Sequence, residues 1–111
     1  MQKENSTYPS LERLADFFGN QVRQDDFTYT FLAIRQQRRV EFSFDVVAES
    51  AQIILFDHEK ELFCISQEGL CSVWIDNNIL YCDFDLGKYK AKAELRLNPC
   101  LLVTYSGLKI G

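Results

Sequence analysis

Strict alternation of apolar and polar side chains after residue 26 is the feature that most constrains this fold. In the clearest case, Val40, Phe42, Phe44 and Val46 alternate with polar or charged side chains across residues 39–46. Successive side chains of a strand point to opposite faces, so this pattern predicts a strand with one buried and one solvated face. Other segments predicted to be strands lie at residues 27–33, 52–57, 61–66, 70–75, 79–85 and 100–105. Residues 88–97 are rich in helix-forming residue types, but their strict alternation of apolar and polar side chains predicts a strand there as well. Most of the chain is therefore predicted to form about eight strands.

A helical period occurs only near the N-terminus. The apolar stripe at that spacing consists of Leu11, Leu14, Ala15, Phe18 and Val22. Ser10 stands just before the stripe, and a serine hydroxyl there can accept a hydrogen bond from a free amide of the first turn. We therefore predict one helix over about residues 10–22. Residues 1–9 are largely polar and are predicted to form a flexible N-terminus.

The length of the chain places these elements in one domain. The chain has 111 residues, of which 47% are hydrophobic, and these values are typical of a single globular domain. Residues 10–111 are therefore predicted to form one α+β domain. We expect the N-terminal helix to precede an antiparallel β-meander that is either a strongly curved sheet or a small barrel.

Composition excludes several classes of function. Twelve Lys and Arg against sixteen Asp and Glu give a net charge of −4, which argues against nucleic-acid binding because phosphate contacts need clustered cations. No apolar run approaches the roughly 20 residues of a membrane helix, and the polar start lacks the features of a signal peptide. The cysteines Cys64, Cys71, Cys82 and Cys100 form no C-x-x-C pair of the kind typical of zinc and redox sites. We expect a cytoplasmic protein with no cofactor, no metal and no membrane partner.

Turn residues allow a register to be predicted for the middle of the chain. A two-residue loop at Asn77-Asn78 places Val73 opposite Cys82, because asparagine tolerates the positive φ of a tight hairpin. A tight turn at Gln67-Glu68 would place Cys64 opposite Cys71. One face of the resulting three-stranded unit is apolar and is predicted to face the core. It consists of Leu62, Cys64, Cys71, Val73, Ile75, Leu80, Cys82 and Phe84.

The opposite face of this predicted unit is aromatic in the middle and acidic at its edge. Its apolar and aromatic residues are Phe63, Ile65, Leu70, Trp74 and Tyr81, Ser72 lies among them, and its rim carboxylates are Asp57, Asp83 and Asp85. Monomeric proteins seldom leave a large contiguous apolar patch exposed, so something is expected to cover this face. Three covers are open: the N-terminal helix, a second copy of the chain, or a different protein.

Few residues suggest catalysis. The single histidine, His58, is predicted to lie at a hairpin tip, where a positioned substrate pocket is rare. Phosphate-binding glycine motifs are absent from the sequence, and no nucleophile is paired with this histidine in a recognisable motif. We therefore predict that the protein is not an enzyme and has no catalytic residues.

These expectations favour a non-enzymatic protein-binding module of the inhibitor, immunity or chaperone-like kind. Its partner would be a protein whose surface is basic or mixed in charge, and a homodimer is left open. One alternative is an enzyme that uses carboxylates such as Asp83 and Asp85. The other is a small β-barrel that binds an apolar small molecule. In that case the cavity would be lined by Phe27, Phe31, Phe42, Phe44, Trp74 and Tyr81.

Overall fold

The structure, a computed structural model, describes residues 8–19 and 21–106. Over these residues the chain forms one helix followed by nine strands. The helix is α1 (Leu11–Phe18), and the strands are β1 (Val22–Asp25), β2 (Thr28–Arg35), β3 (Arg38–Asp45), β4 (Ser50–Asp57), β5 (Lys60–Glu68), β6 (Leu70–Asp76), β7 (Ile79–Asp85), β8 (Lys90–Arg96) and β9 (Leu102–Ser106). The predicted α+β class with an N-terminal helix is confirmed.

The helix is shorter than its apolar stripe predicted. The Ser10 hydroxyl accepts a hydrogen bond from the Arg13 amide at 3.1 Å, as expected of an N-cap. Gly19 has a φ of 89° and ends the helix as a left-handed cap, and its amide donates to carbonyls of the last turn. Val22 therefore belongs to β1 instead of the helix. Of the segment predicted to be flexible, residues 1–7 lie outside the described residues, whereas the ring of Tyr8 stacks on Phe44 at 5.7 Å.

The strands form two antiparallel sheets instead of one continuous meander. The first sheet has the order β1-β2-β3-β4-β5, and the second has the order β6-β7-β8-β9. Over the described residues neither sheet closes on itself, so the strongly curved sheet describes the fold and the barrel does not. The described strands therefore enclose no barrel cavity for an apolar ligand. Phe27, one of the residues predicted to line that cavity, is 61% exposed.

The chain passes from one sheet to the other at Gly69. The amide of Gly69 donates to the Glu49 carbonyl at 2.9 Å, and its carbonyl accepts from the Asp85 amide at 2.8 Å. The residue has a φ of 84°, and a Cβ there would lie 2.6 Å from the Asp85 carbonyl oxygen. The predicted tight turn that paired Cys64 with Cys71 is therefore wrong, because these glycine contacts direct β6 away from β5.

The two sheets and the helix share one core. Phe18 of the helix stacks on Phe31 and Phe42 of the first sheet, with ring centroids 5.4 and 5.9 Å apart. The second sheet contributes the buried inner faces of β6, β7 and β8 to the same cluster. Of the predicted core face, Val73, Leu80, Cys82 and Phe84 are buried, Ile75 is half-buried, and Leu62, Cys64 and Cys71 are exposed. The predicted pairing of β5 with β6 does not form, which explains why these three residues are exposed.

Candidate protein-binding site

Trp74 and Tyr81 form an aromatic pair on the outer face of the second sheet. They are direct cross-strand partners on β6 and β7, and their rings stack with centroids 4.0 Å apart. We call these two residues the aromatic plate. Its register follows from the Asn77-Asn78 turn, in which both residues have the positive φ that the sequence predicted. Trp74 remains 37% exposed, so the plate is accessible to solvent.

Asp83 holds the plate in position. Its Oδ2 atom accepts hydrogen bonds from the Trp74 indole Nε1 at 2.8 Å and from the Ser72 hydroxyl at 3.0 Å. A β-bulge between Leu70 and Ser72 brings Ser72 opposite Asp83. The indole N–H is therefore already paired, and the ring is fixed before any partner arrives. Such preorganisation lowers the entropy cost of binding.

Lys92 of β8 lies on the same outer face. Its Nζ atom is 5.6 Å from the centroid of the Trp74 ring and 5.7 Å from that of Tyr81, within the range of a cation–π contact. Lys92 is also the cross-strand partner of Asp83. The rim of the plate is therefore mixed in charge, whereas the sequence predicted carboxylates alone.

Asp85 lies at the end of β7 and shapes the loop before β8. Its Oδ1 atom accepts from the Gly87 amide at 2.9 Å, and its Oδ2 atom lies 3.1 Å from the Lys90 ammonium. The Gly87 hydrogen bond, followed by the contact with Lys90, lowers the pKa of Asp85 below its usual value of 3.8. The charged form of Asp85 is therefore favoured in the folded protein.

A cleft of about 280 Å³ adjoins the plate. It is lined by Cys71, Asp83, Phe84, Asp85, Lys90, Ala91, Lys92 and Ser106. Its walls carry two carboxylates and two ammonium groups. Burial, with the Asp83 carboxylate as a second cause, raises the pKa of the Cys71 thiol, so this cysteine is less ready to form a nucleophilic thiolate.

The remaining predicted site residues do not share this face. Phe63 and Ile65 lie on β5 of the first sheet, where they pair with Leu55 and Ile53 of β4, and Ile65 is only 9% exposed. Asp57 ends β4, with its Oδ2 atom 3.9 Å from Arg38 Nε and its Oδ1 atom 3.1 Å from His58 Nδ1. The prediction of one continuous face across β5, β6 and β7 is therefore wrong, for the same reason as the Cys64–Cys71 pairing.

The N-terminal helix, one of the three predicted covers, does not lie on the aromatic plate. Its buried residues Leu14 and Phe18 join the core, and Phe18 stacks on inner-face rings of the first sheet. The apolar stripe of the helix therefore packs in the interior and does not cover the outer face of the second sheet. The two other covers, a second copy or a different protein, remain predictions.

The surroundings of the plate were predicted only in part. Alternation placed Ser72 on the face of Trp74, and the structure confirms this, whereas Leu70, predicted for the same face, is buried in the core. The contact of Lys92 with the plate was missed, although alternation along β8 places this lysine on the outer face. β8 lies between β7 and β9 and is a central strand, so its lysines do not protect a sheet edge. Strand order depends on tertiary contacts, so the sequence pattern alone did not reveal it.

Two further observations concern other classes of site. In the described part of the chain, no group of three or more His, Cys, Asp or Glu side chains is placed to hold a metal ion. The single described helix, at eight residues, is too short to cross a membrane.

Comparison with known proteins finds a similar fold among solved structures. No family model matches the sequence, and no curated protein matches it. A chain of the contact-dependent growth inhibition toxin–immunity protein complex from Klebsiella pneumoniae 342 is similar, with a TM-score of 0.79 and 25% sequence identity. The match covers 90% of this chain and 95% of that chain. The protein therefore shares nearly its whole fold with a chain from a toxin–immunity protein complex.

Proposed function

We propose that this chain is an immunity-type inhibitor, a non-enzymatic protein that binds a protein toxin and blocks it. The observation that carries the proposal is the match to a toxin–immunity protein complex, which extends over 90% of this chain. A match of that extent concerns the whole domain and not a shared substructure. The exposed aromatic plate gives the proposal a physical basis in this chain, because ordered aromatic side chains dominate the energetics of protein interfaces.

The proposed contact surface is the outer face of the second sheet. Trp74 and Tyr81 act as anchors, since each buried ring removes about 150–250 Å² from water. Asp83 and Asp85 form the polar rim together with Lys92. Because carboxylates and ammonium groups alternate there, the partner surface is proposed to be mixed in charge, with basic groups opposite Asp83 and Asp85. Phe63, Ile65 and Asp57 are left out of this surface because they lie on the other sheet.

The four described cysteines bear on where such an inhibitor would act. Cys64, Cys71, Cys82 and Cys100 are all free thiols in the structure. Free thiols are typical of reducing compartments, so a cytoplasmic location is proposed for the protein and its encounter with the toxin.

The test combines capture with a growth assay. The wild-type chain and the Trp74→Ala/Tyr81→Ala variant serve as baits in lysate of the source organism, and proteins captured by the wild type alone are identified. Each is then produced in a laboratory host, alone and together with this chain. We expect a captured protein that arrests growth alone and is harmless when the wild-type chain is also produced. Captured proteins that are all harmless alone would contradict the inhibitor function.

A matched variant separates loss of the plate from a general surface effect. Tyr89 is an exposed aromatic residue outside the plate, at 38% exposure against 37% for Trp74. We expect Tyr89→Ala to protect the host as well as the wild type, whereas Trp74→Ala/Tyr81→Ala weakens toxin binding by about a hundredfold, as expected for an interface hot spot. Protection by the plate variant at wild-type level would move the toxin contact to another face.

A further inference from the structure

Two neighbouring turns at one end of the first sheet carry exposed apolar side chains that lie outside the aromatic plate. Phe27 belongs to the β1–β2 turn, and Val46 and Val47 belong to the β3–β4 turn. They are 61%, 40% and 66% exposed, and in the described part of the chain Val47 and Phe27 are the two most exposed large hydrophobic residues. We call these three residues the tip cluster.

The register of β2 and β3 brings the two turns side by side. Thr28 and Asp45 are direct cross-strand partners, and the Thr28 hydroxyl donates to the Asp45 carboxylate at 3.3 Å. Phe27 and Val46 are the next residues beyond this pair, one from each strand, and neighbouring strands are about 4.8 Å apart. The tip cluster is therefore one exposed apolar patch. Single exposed apolar residues are common on proteins, whereas a contiguous patch marks an interaction site.

Side-chain hydrogen bonds order both turns. The Oδ1 atom of Asp45 accepts from the amides of Val47 and Ala48, each at 2.9 Å. In the other turn, the side-chain amide of Gln24 donates to the Asp26 carbonyl at 3.3 Å. The tip cluster is therefore positioned before a partner binds, which lowers the entropy cost of a contact.

Carboxylates surround the tip cluster. Residues 24–29 and 44–50, which contain both turns, include no Lys, Arg or His and four carboxylates, namely Asp25, Asp26, Asp45 and Glu49. The nearest cation along these strands is Arg23, and counting it still leaves this end of the sheet with a net charge of −3. Over the described residues, Asp25, Asp26 and Glu49 form no ion pair. Their charge is therefore available to a partner.

We infer that the tip cluster is a second docking point for the proposed toxin, which receives Phe27 and Val47 in an apolar recess surrounded by Lys or Arg side chains. The inference rests on the proposed inhibitor function. An apolar centre with a charged rim is the usual arrangement of a protein interface, and complementary charge selects the partner.

Charge also disfavours the other occupants of an exposed apolar patch. A second copy that docked through the same turns would bring eight carboxylates together, in a chain whose net charge is already −4. Membrane surfaces and nucleic acids present phosphate groups, which the carboxylates of both turns would repel. A basic protein surface is the occupant that satisfies both the apolar side chains and their rim.

One toxin molecule can reach both the tip cluster and the aromatic plate, because Gly69 links their rims. The Glu49 carbonyl accepts from the Gly69 amide at 2.9 Å, and the Gly69 carbonyl accepts from the Asp85 amide at 2.8 Å. Glu49 ends the turn that carries Val47, and Asp85 belongs to the rim of the plate. A standard interface includes about 20–30 residues on each partner, more than the two clusters and their rims contain together.

Binding of the purified toxin measures the apolar contribution. The probe is the growth-arresting protein that capture and the growth assay identify. We expect Phe27→Ala/Val47→Ala to bind it about tenfold more weakly than the wild type, because two apolar side chains leave the interface. Val22→Ala/Ile34→Ala is the matched control, since both residues are exposed on the same sheet outside the two turns, at 49% and 52%. It should bind as the wild type does, and thermal denaturation checks that both variants fold.

The salt dependence of the association rate tests the charges. Asp26→Asn/Glu49→Gln removes two negative charges from the turns, and asparagine tolerates the positive φ of Asp26. We expect this variant to associate with the toxin about fivefold more slowly than the wild type at about 0.1 M salt. The two rates should converge at about 1 M salt, where the Debye length is only about 3 Å.

A second pair of substitutions controls for net charge. Glu12→Gln/Glu61→Gln removes two negative charges as well, from the helix and from the start of β5. We expect it to change the association rate by less than about twofold. Equal slowing in the two charge variants would assign the effect to net charge and overturn the basic surface proposed opposite the turns.

Failure of this inference can be told apart from failure of the inhibitor function. A wild-type chain that captures no growth-arresting protein contradicts both. A toxin that binds Phe27→Ala/Val47→Ala as tightly as the wild type contradicts the docking point alone and leaves the aromatic plate as the contact. Light scattering after size exclusion covers the remaining occupant: a dimer of the wild-type chain that Phe27→Ala/Val47→Ala dissociates, with toxin binding unchanged, would assign the tip cluster to a second copy and overturn the inference.

Discussion

The outer faces of the two sheets both carry an aromatic ring beneath a cation. Only the rings of the second sheet, Trp74 and Tyr81, remain accessible to a partner. On the first sheet, the Arg39 guanidinium lies 4.1 Å from the centroid of Phe56 and is held by Glu59 at 2.6 Å and Glu41 at 3.3 Å. On the second sheet, Lys92 lies more than 5 Å from both rings of the plate. A covered ring contributes to the fold, whereas a ring that is ordered but exposed is suited to a partner.

The largest expected effect on stability comes from Gly69, the residue at which the chain passes from the first sheet to the second. Gly69→Ala places a Cβ 2.6 Å from the Asp85 carbonyl oxygen at a positive φ. Left-handed strain and overpacking together should lower the free energy of unfolding by about 2–4 kcal/mol. Urea denaturation measures the change.

Gly19→Ala is the control for this substitution. Gly19 has a similar φ of 89°, but a Cβ there meets nothing within 4 Å. Its cost should be limited to the backbone strain of about 1–2 kcal/mol. Equal losses in the two variants would show that the crowding at Gly69 does not matter and that the sheet crossing tolerates a side chain.

The next effect concerns how the plate is ordered. Asp83→Ala removes the acceptor of the Trp74 indole and of the Ser72 hydroxyl. Both donors are close to solvent, so the expected loss of unfolding free energy is about 1 kcal/mol. Because Trp74 is the only tryptophan, its fluorescence reports directly on the plate. We expect a red-shifted emission in Asp83→Ala and a smaller shift in Asp83→Asn, whose amide oxygen still accepts a hydrogen bond. Unchanged emission in both would mean that the ring stacking alone orders the indole.

A smaller effect on stability is expected from removing either cation, Arg39 on the first sheet or Lys92 on the second. Arg39→Ala uncovers Phe56 and breaks both carboxylate contacts, with an expected loss of up to about 1 kcal/mol for a partly exposed network. Lys92→Ala removes a more distant cation, so its loss of unfolding free energy is expected to be no more than about 0.5 kcal/mol. Chemical denaturation of both variants measures the two values. If Lys92→Ala were the more destabilising, the lysine would cover the plate and the contrast between the faces would fail.

The smallest effect is a pH dependence at the rim of the plate. The pKa of Asp85 is lowered by the Gly87 amide and Lys90, so its charged form stabilises the folded state. That contribution is fully present above the usual value of 3.8 and is lost as pH falls through the lower pKa of the folded protein. We expect the stability difference between the wild type and Asp85→Asn to shrink below about pH 4. A difference that stays constant across this range would contradict the role assigned to Gly87 and Lys90. Thermal denaturation between pH 2 and pH 7 measures it.

Much of the local structure followed from side-chain pattern. Alternation correctly assigned residues 88–97 to a strand although their residue types favour a helix, and β8 covers Lys90–Arg96. The buried positions Phe42 and Phe44 of β3 were predicted in the same way. The Asn77-Asn78 turn set the register that stacks Trp74 on Tyr81. These features depend on neighbours within a few residues, which a sequence contains in full.

The sequence by itself determined the buried side of β3 and which aromatic residues meet across the β6–β7 hairpin. For β5 it predicted the wrong side, because Ile65 is buried whereas Leu62 and Cys64 are exposed. Only the tertiary structure decided that β5 and β6 belong to different sheets, and so separated Phe63 and Ile65 from the aromatic plate. The physical reason lies at Gly69, whose backbone hydrogen bonds go to Glu49 and Asp85. A glycine after two polar residues is equally compatible with a tight hairpin and with a crossing between sheets, and the choice belongs to partners 20 and 16 residues away along the chain.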